Sequence, residues 1–600
     1  MTPKLTSPTR YVLMLTIGMG ASLWAVQAQA ATPLVKIEGE LPSELRTLLA
    51  GVIGEAGAPP RSLAQARRRV EKAAEQGRIV MRSQGYYGAE IKARIEEFTS
   101  DGDTSVRKAP QPILVIKPGP QFTFGSVKIL YDDNQPDVVD AVNKTALLAE
   151  GAPALSAEIV AAEIRAVNYL KAHGYPETKT QPRKAIVDHD SQTMALTFNF
   201  SIGDKTRFGG IETSGSAYLI KSWPEMISPF ETGEVFSDTK LNKLSSRVIA
   251  TGAFDSATAT LNTDKTPNAD GTVTRNILLN VEQGDINTVT GEIGYSTTDG
   301  SGVELSYERR NFIGYAQTLT LNAGVKTNQI RFGVDYNIPY MFRVDRALDL
   351  SSEIAKEDTD AFTGERVSGN ALITQKFSER FKLGLGVGLE ASRYEEDGTD
   401  VTAYLLDGLG TASYDSRNSL LDPVKGVLVE ANVTPTYNFG NRDGLFTTAQ
   451  ISASHYKKIS DSLVIAGRVK TGTIFGADLD TIPLNRRFYG GGGGSVRGFG
   501  YQTISPIDEN DDVIGGRSIS EASAEIRYHG DSPFGAVAFI DAGSVVPNDL
   551  PNLEDVRYGA GLGIRYYTSF APLRADIAIP LNKRDGDNDF QIYLSIGQAF

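Results

Sequence analysis

The chain has 600 residues, a net charge of −13, 60 glycines, four histidines and no cysteine. Its length predicts several domains, and its acidic balance argues against nucleic acid as a partner. The absence of cysteine excludes disulfides, thiolate metal sites and a cysteine nucleophile, and the histidines are too scattered to suggest a metal cluster or a catalytic triad.

Residues 1–30 have the pattern of a secretory signal peptide. Lys4 and Arg10 precede a short apolar run at 11–25, and an A-x-A cleavage motif follows at 28–30. A membrane-anchoring helix is the alternative, but the run contains two glycines and is shorter than the roughly 20 residues that a span needs. We therefore predict export from the cytoplasm, with cleavage after Ala30.

Residues 35–284 repeat with a period of about eighty residues. Each unit carries a helical pattern that stops at a glycine followed within two residues by an aromatic, and each ends with a strand and a glycine turn. The closing strands are Ile113–Gly119, Ala195–Gly203 and Ile277–Gly284. The units read β-α-α-β-β. Three unrelated α+β domains are the alternative, but the markers recur in the same order and favour a tandem array.

From residue 287 onward, segments of roughly ten residues alternate between apolar and polar or small side chains. In one example, Phe381, Leu383 and Leu385 alternate with Lys382 and two glycines. At roughly 20 residues per strand and turn, residues 287–600 give about 16 strands, an even number as an outer-membrane barrel requires. The predicted fold is therefore α+β repeats followed by an all-β transmembrane barrel. A soluble sandwich would also alternate, but it would not need an export signal and long strands that end in an aromatic residue.

A glycine-rich segment, RRFYGGGGGSVRGFGY at 486–501, stands out within the barrel region. Five consecutive glycines predict an irregular loop, and a flexible surface loop is the simplest interpretation. However, Val496 and Phe499 flank Arg497 and Gly498, and apolar groups in that position are expected to be buried. We therefore interpret Val496, Arg497, Gly498 and Phe499 as a motif that packs inside the barrel.

An export signal, tandem repeats, a C-terminal barrel and the VRGF loop together resemble the BamA/TamA superfamily of outer-membrane insertases and transporters. Within it, three repeats and the segment VRGFGYQTISP are most similar to the TamA family, the outer-membrane subunits of translocation and assembly modules. The resemblance implies three polypeptide-transport-associated (POTRA) domains at 33–118, 119–204 and 205–285, and a barrel of the bacterial surface antigen type at 286–600. It also implies that Arg497 meets Asp541, in an F-x-D-x-G strand, and Glu525 on the preceding strand.

A barrel in lipid must close between its first and last strands, since an unpaired edge leaves backbone groups unsatisfied. We expect a seam between about Val289–Ser296 and about Phe590–Phe600, with Gly291, Gly294, Gly597 and Phe600 at it. Glycine contributes no packing in a strand, so this seam should be weak and should open laterally to template client strands. Gln598 breaks the alternation near the end of the last strand.

The resemblance implies that the protein is not an enzyme and uses no cofactor. It implies assembly of autotransporters and other outer-membrane proteins, with a possible role in lipid transport to the outer membrane. The expected partners are an inner-membrane-anchored TamB-like protein on the repeats, unfolded client polypeptides and outer-membrane lipids, but not nucleic acid. A two-partner-secretion transporter and a general BamA-like insertase are the alternatives. A porin or a barrel enzyme would need neither the repeats nor the VRGF loop.

Overall fold

The structure is a computed structural model that describes residues 34–600 except 55–56, 97–108, 132–135, 147, 216–217, 298–299, 397, 510 and 570. The predicted signal peptide, residues 1–30, lies outside the described residues. The chain divides into two compact units, with the boundary between Asp204 and Lys205. Among the described helices, none combines the length and the apolar character that a membrane crossing would require.

The first unit contains two α/β modules. The elements of module A are β1 (Lys36–Glu38), α1 (Ser43–Ile53), α2 (Leu63–Ser83), β2 (Glu90–Glu96) and β3 (Gln111–Lys117). Those of module B are β4 (Thr123–Tyr131), α3 (Val139–Thr145), α4 (Ser156–Ala172), β5 (Lys179–Asp188) and β6 (Thr193–Ser201). In each module the last strand lies in the centre of a three-stranded sheet, parallel to the first strand and antiparallel to the other.

Local sequence explains where the long helices of these modules begin and end. Helix α2 begins after Ser62, whose hydroxyl accepts a hydrogen bond from the backbone N–H of Gln65 at 3.3 Å. It ends before Gly85, which has a φ of 82° that favours glycine. Gly174, with a φ of 104°, stands in the same place after α4. The glycine–aromatic markers are therefore helix stops, as the sequence predicts.

The second unit begins with module C, which has the same strand order. Its elements are β7 (Thr206–Gly215), α5 (Trp223–Met226), α6 (Asp238–Ile249), β8 (Phe254–Leu261), the short β9 (Thr266–Pro267) and β10 (Val273–Gln283). Trp223 is buried at the centre of its core. The barrel turns also contact this module: the side-chain amide of Asn311 donates to the carbonyl of Tyr218 at 2.7 Å, and the hydroxyl of Tyr340 donates to the carbonyl of Arg247 at 2.9 Å.

The rest of the second unit is a closed barrel in which each strand is antiparallel to the next. Its 16 strands are β11 (Asn287–Ser296), β12 (Gly300–Arg310), β13 (Thr318–Lys326), β14 (Gln329–Ile338), β15 (Arg346–Asp358), β16 (Thr363–Lys376), β17 (Phe381–Glu396), β18 (Thr399–Asp415), β19 (Gly426–Asn438), β20 (Gly444–Ser460), β21 (Leu463–Phe475), β22 (Ser518–His529), β23 (Phe534–Val546), β24 (Arg557–Tyr567), β25 (Pro572–Pro580) and β26 (Gln591–Ile596). Two short 3₁₀ turns, Leu479–Thr481 and Leu484–Arg486, follow β21.

Alternation along the strands sorts side chains between the outer wall and the lumen. Leu385, Val387 and Leu389 on β17 are between 58% and 74% exposed on the outer wall, which is the pattern expected of a wall that faces lipid. Charged side chains such as Glu390 face inward and are buried. The predicted fold, α/β modules followed by a 16-stranded barrel, is confirmed. The identity of the modules as three POTRA domains with the bounds given above stays a prediction.

The last strand is shorter than the sequence suggests. We expected it to run to Phe600, but β26 ends at Ile596, and Gly597 turns the chain with a φ of 89°. Beyond this turn Gln598 accepts a hydrogen bond from Arg565 at 3.0 Å and donates one to Asp422 at 2.9 Å. These contacts draw the C-terminal residues away from the strand direction, toward the lumen side of the wall.

Candidate functional site

The long connection between β21 and β22, residues 476–517, folds into the barrel. We call it the lumen loop. Val496, Arg497 and Phe499 on it are each at most 2% exposed. Gly491, Gly492 and Gly498 have φ values of 102°, 93° and 101°, a left-handed conformation that side chains rarely adopt. The glycines therefore let the backbone turn inside a crowded space, and the apolar residues of the motif are buried.

Arg497 is the centre of the buried contacts of this loop. Its Nε and Nη2 donate to the two carboxylate oxygens of Asp541 on β23 at 2.7 and 2.9 Å, a bidentate pair. Its Nη1 donates to Glu525 on β22 at 2.7 Å. The guanidinium carbon lies 3.5 Å from the ring centroid of Phe539, a distance at which the ring face attracts a cation. The planar group is thus fixed in both position and orientation.

A third acid, Asp576 on β25, completes this cluster. Its carboxylate lies 3.4 Å from Arg497 Nη1 and also pairs with Arg565 on β24. Arg574 Nε is 3.5 Å from the same carboxylate, and Arg527 pairs with Glu525 at 2.7 Å. Sequence reasoning missed Asp576, because it lies in no motif and its alternation with apolar residues is that of any lumen-facing acid.

A second buried cluster holds the start of the lumen loop. Arg486 Nη2 lies 2.8 Å from Glu390 on β17 and 2.8 Å from Asp407 on β18. Asn485 donates to Glu390 at 2.7 Å. Arg486 stands in the same RRFYG segment that the sequence singles out, so its pairing with lumen acids could have been considered. The loop is therefore fixed to two separate parts of the wall, β17–β18 and β22–β25.

The loop approaches the wall so closely that two strand positions admit only glycine. A Cβ at Gly559 on β24 would collide with the carbonyl oxygen of Arg497, and one at Gly543 on β23 would collide with Val496. Both are wall residues with the loop backbone or side chain directly above them. The docked position of the loop depends on these glycines as well as on the ion pairs.

The seam between β11 and β26 is the most weakly paired junction of the barrel. All ten residues of β11 pair with β12, but among the described residues only Tyr295 and Ser296 pair with β26, opposite Leu594 and Tyr593. The backbone N–H of Thr297 adds one hydrogen bond to the carbonyl of Ile592 at 3.0 Å. The rest of β11 has no β26 partner in the described part of the chain.

The structure brings together some of the predicted seam residues and not others. Gly294 lies beside the paired residues, where an added methyl would sit 3.7 Å from the carbonyl oxygen of Leu594, and Gly597 ends the last strand. Gly291 pairs only with Leu305 of β12 among the described residues. Phe600 lies against Tyr456 and Arg527 instead, with ring centroids 6.3 Å apart for the aromatic pair. Gly291 and Phe600 are thus not part of the closed seam, because pairing stops after two residues and the chain turns at Gly597.

The lumen loop contacts the seam directly. The backbone N–H of Gly498 donates to the hydroxyl of Tyr593, the β26 residue that pairs with Ser296. The motif that holds the loop inside the barrel therefore also contacts the last strand. The described residues contain no group of three or more His, Asp or Glu side chains placed to hold a metal ion.

Comparison with known proteins gives one family match. Residues 311–600, just under half of the chain, match the Omp85 superfamily domain. The chain is 25% identical over 392 residues to the outer membrane protein assembly factor BamA of Nitratidesulfovibrio vulgaris, covering 61% of this chain and 48% of that protein. It is 23% identical over 339 residues to a SAM50-like protein of Schizosaccharomyces pombe, covering 53% of this chain and 67% of that one. The chain thus spans about half the length of its BamA relative.

A solved structure shares the fold. The crystal structure of BamA from Haemophilus ducreyi lacking POTRA domains 1–3 matches with a TM-score of 0.65 at 18% sequence identity, covering 79% of this chain and 100% of that one. At this identity the likeness concerns the fold alone. Residues 311–600 are thus similar to the Omp85 superfamily domain, the two relatives extend the similarity to outer-membrane assembly proteins, and the solved structure shows the same fold.

Proposed function

We propose that the protein is an outer-membrane assembly factor that inserts client β-barrels, autotransporters among them, through the seam between β11 and β26. The observation that carries this proposal is the pairing at the seam: two residue pairs close it, while β11 pairs with β12 along its whole length. Opening this junction costs fewer backbone hydrogen bonds than opening the neighbouring one. The proposal places the barrel in the outer membrane and modules A, B and C in the periplasm.

An opened seam offers two strand edges to a client. Unpaired N–H and C=O groups recruit an extended segment by β-augmentation, which supplies affinity without demanding a particular sequence. In lipid the client strand also provides hydrogen-bond partners for backbone N–H and C=O groups that would otherwise have none. The pairing of client strands can therefore provide the free energy for insertion, and the mechanism needs no nucleotide and no metal.

The lumen loop would keep the barrel intact while the seam is open. Its two buried clusters, around Arg486 and around Arg497, join it to β17–β18 and to β22–β25. Neither cluster includes a residue of β11. Separation of β11 from β26 therefore leaves both clusters in place, and the contact between Gly498 and Tyr593 joins the loop to β26 and not to β11.

The relatives support the assembly role at the level of the family, since one is named as an outer membrane protein assembly factor. The narrower role is that of a TamA-type subunit, with an inner-membrane-anchored TamB-like protein bound to modules A–C and a role in moving lipid to the outer membrane. The two-partner-secretion transporter and the general BamA-like insertase remain its alternatives. These roles can be separated by tagging the full-length protein within residues 34–285 and identifying the proteins that it retrieves from membranes. A TamA-type subunit retrieves a large inner-membrane-anchored protein, whereas a secretion transporter retrieves its secreted effector.

A reversible cross-link tests the seam. The chain has no cysteine, so the pair Tyr295→Cys and Leu594→Cys, which are direct partners, can be oxidised selectively. We expect oxidation to abolish insertion of a small barrel client into liposomes and reduction to restore it.

A matched control uses Val289→Cys with Tyr307→Cys. These residues are direct partners between β11 and β12, so their disulfide adds the same chemistry without crossing the seam. Insertion that continues with the seam locked, or that stops equally with the control locked, would overturn the proposal.

A further inference from the structure

A cavity of about 340 Å³ lies at the seam, within the size range of small-ligand sites. Its lining includes Tyr295 and Leu594, whose side chains are 47% and 44% exposed on the outer wall, and also Ser296 and Tyr593, which are buried on the lumen side. The cavity is therefore bounded by both faces of the two strands, as a site for an amphipathic molecule must be.

Two opposite charges face this cavity from the two sides of the seam. Arg574 comes from β25, and its side chain is 9% exposed. Its Nε has no hydrogen-bond partner among the described residues, and its ion pair with Asp576 is long, at 3.5 Å. Glu292 comes from β11 and makes no ion pair in the described part of the chain. The two residues line the same cavity without pairing with each other.

The other charges at the cavity are already neutralised. Glu304 pairs with Lys326 at 3.1 Å and with Arg331 at 2.7 Å. This leaves one cation with spare donor capacity and one acid without a partner. A nine-tenths buried guanidinium favours an oxyanion, and phosphate is the oxyanion that its planar fork binds best. Glu292 is an exposed residue of this lining, and a carboxylate forms charge-assisted hydrogen bonds with an ammonium group.

We propose that this cavity binds the headgroup of a zwitterionic phospholipid, with its phosphate at Arg574 and its primary ammonium at Glu292. The acyl chains would leave beside the closed pairs, along Val289 and Ile293, which are 73% and 77% exposed on the outer wall and have no β26 partner among the described residues. An extended peptide is less suited to the site, because it presents no fixed pair of opposite charges. The inference rests on the bilayer location in the function proposed above and does not depend on its clients.

Native mass spectrometry of the full chain in detergent tests the site. The probes are phosphatidylethanolamine, anionic phosphatidylglycerol and inorganic phosphate, each added at the same concentration. We expect retention of phosphatidylethanolamine over phosphatidylglycerol, and a loss of about tenfold or more in Arg574→Gln, since a charge-assisted contact is removed. Glu292→Gln should remove the preference between the two lipids and should fold normally, because Glu292 has no ion-pair partner among the residues that the structure describes.

Glu353→Gln is the control, since this lumen acid pairs with Arg366 and lies outside the cavity lining. It should leave the lipid preference unchanged. Equal retention of the two lipids by the unaltered protein, or displacement of phosphatidylethanolamine by equimolar phosphate, would overturn the inference. This experiment contains no client, so a negative result would concern only lipid binding. The insertion proposal is tested separately by the seam cross-link.

Discussion

The backbone N–H of Gly498 donates a hydrogen bond to the hydroxyl oxygen of Tyr593 at 3.0 Å. Gly498 belongs to the motif that fixes the lumen loop, and Tyr593 is one of the two β26 residues paired with β11. A shift of the loop therefore acts directly on a residue that closes the seam. This contact is a direct route by which the interior of the barrel can influence its weakest junction.

Tyr593→Phe removes the hydroxyl and keeps the ring. The buried N–H of Gly498 then loses its acceptor, a loss worth about 1–3 kcal/mol. We expect faster hydrogen exchange at Ser296 and Leu594, measured on the protein in micelles. Tyr528→Phe is the control, because Tyr528 is 55% exposed on the outer wall. Unchanged exchange in Tyr593→Phe would show that loop and seam are independent.

Arg497→Lys keeps the charge and loses the planar fork. An ammonium group cannot reproduce the bidentate pair with Asp541 while also reaching Glu525. Arg497→Ala should lower the free energy of unfolding by about 3–5 kcal/mol, since it leaves buried carboxylates without their partner, and the lysine variant should fall between alanine and the original.

Denaturant unfolding of the barrel measures both variants. Arg393→Lys is the matched control, since Arg393 is paired with Asp400 at an exposed site, and solvent screening should leave stability nearly unchanged. If the Arg497→Lys variant has the same free energy of unfolding as the original, the positive charge alone is sufficient to hold the loop.

Asp576→Asn tests the acid that sequence reasoning missed. Three guanidinium groups, those of Arg497, Arg565 and Arg574, share this carboxylate. Its neutralisation should cost about 3–5 kcal/mol, as for other buried pairs broken on one side, and should reduce the fraction of barrel that resists heating in detergent. Asp335→Asn is the control, because that carboxylate accepts from the amide of Asn322 at 2.7 Å and should change stability by about 1 kcal/mol. If Asp335→Asn lowers the stability of the barrel as much as Asp576→Asn does, Asp576 has no special role in stabilising it.

The contrast between Asp541 and Asp576 shows what the sequence can predict here. Asp541 stands in a recognisable F-x-D-x-G strand, so its contact with Arg497 could be named in advance. Asp576 faces the same guanidinium from β25, but contact between residues 79 positions apart depends on barrel closure and not on local pattern. The strand number followed from length and alternation, since each strand and turn uses a similar number of residues.

The seam shows where the sequence is insufficient. Alternation continues from Phe590 to Ile596 with no proline or charge to end it, so the turn at Gly597 could not be separated from a strand glycine. Register across the seam is set by two residue pairs, which are too few to produce a recognisable pattern in the amino-acid sequence. The position of Gly291 relative to β26 was therefore beyond sequence reasoning.

Gly559→Ala should displace the lumen loop. The added methyl group would collide with the carbonyl oxygen of Arg497, and the rigid strand cannot move away as a flexible side chain could. We expect faster proteolysis within residues 487–506, measured by limited digestion of the folded barrel. Gly467→Ala on β21 is the control, since its methyl would lie 3.8 Å from the nearest atom, the Ser523 carbonyl oxygen, an ordinary contact distance. A loop equally resistant in both variants would mean that the wall adjusts to the methyl group.

Acid should weaken module C through Asp270. Its carboxyl pKa is lowered to about 2, first by the hydroxyl of Thr272, then by the backbone N–H of the same residue and by Arg207. A lowered pKa stabilises the folded module above the unfolded value near 3.9, and the stabilisation is lost as the pH falls through about 2. Asp270→Asn should therefore melt at a lower temperature than the original at pH 7, and the difference should shrink below pH 4 and vanish only below about pH 2.

Tryptophan fluorescence can follow this module alone. The chain has two tryptophans; Trp223 is buried in module C, and Trp24 belongs to the predicted signal peptide. Asp264→Asn is the control, because its carboxylate has no hydrogen-bond or ion-pair partner in the described part of the chain, and its melting temperature should match the original at every pH. A difference between Asp270→Asn and the original that persists well below pH 2, where the Asp270 carboxyl is protonated in both the folded and the unfolded chain, would show that the amide perturbs the turn itself.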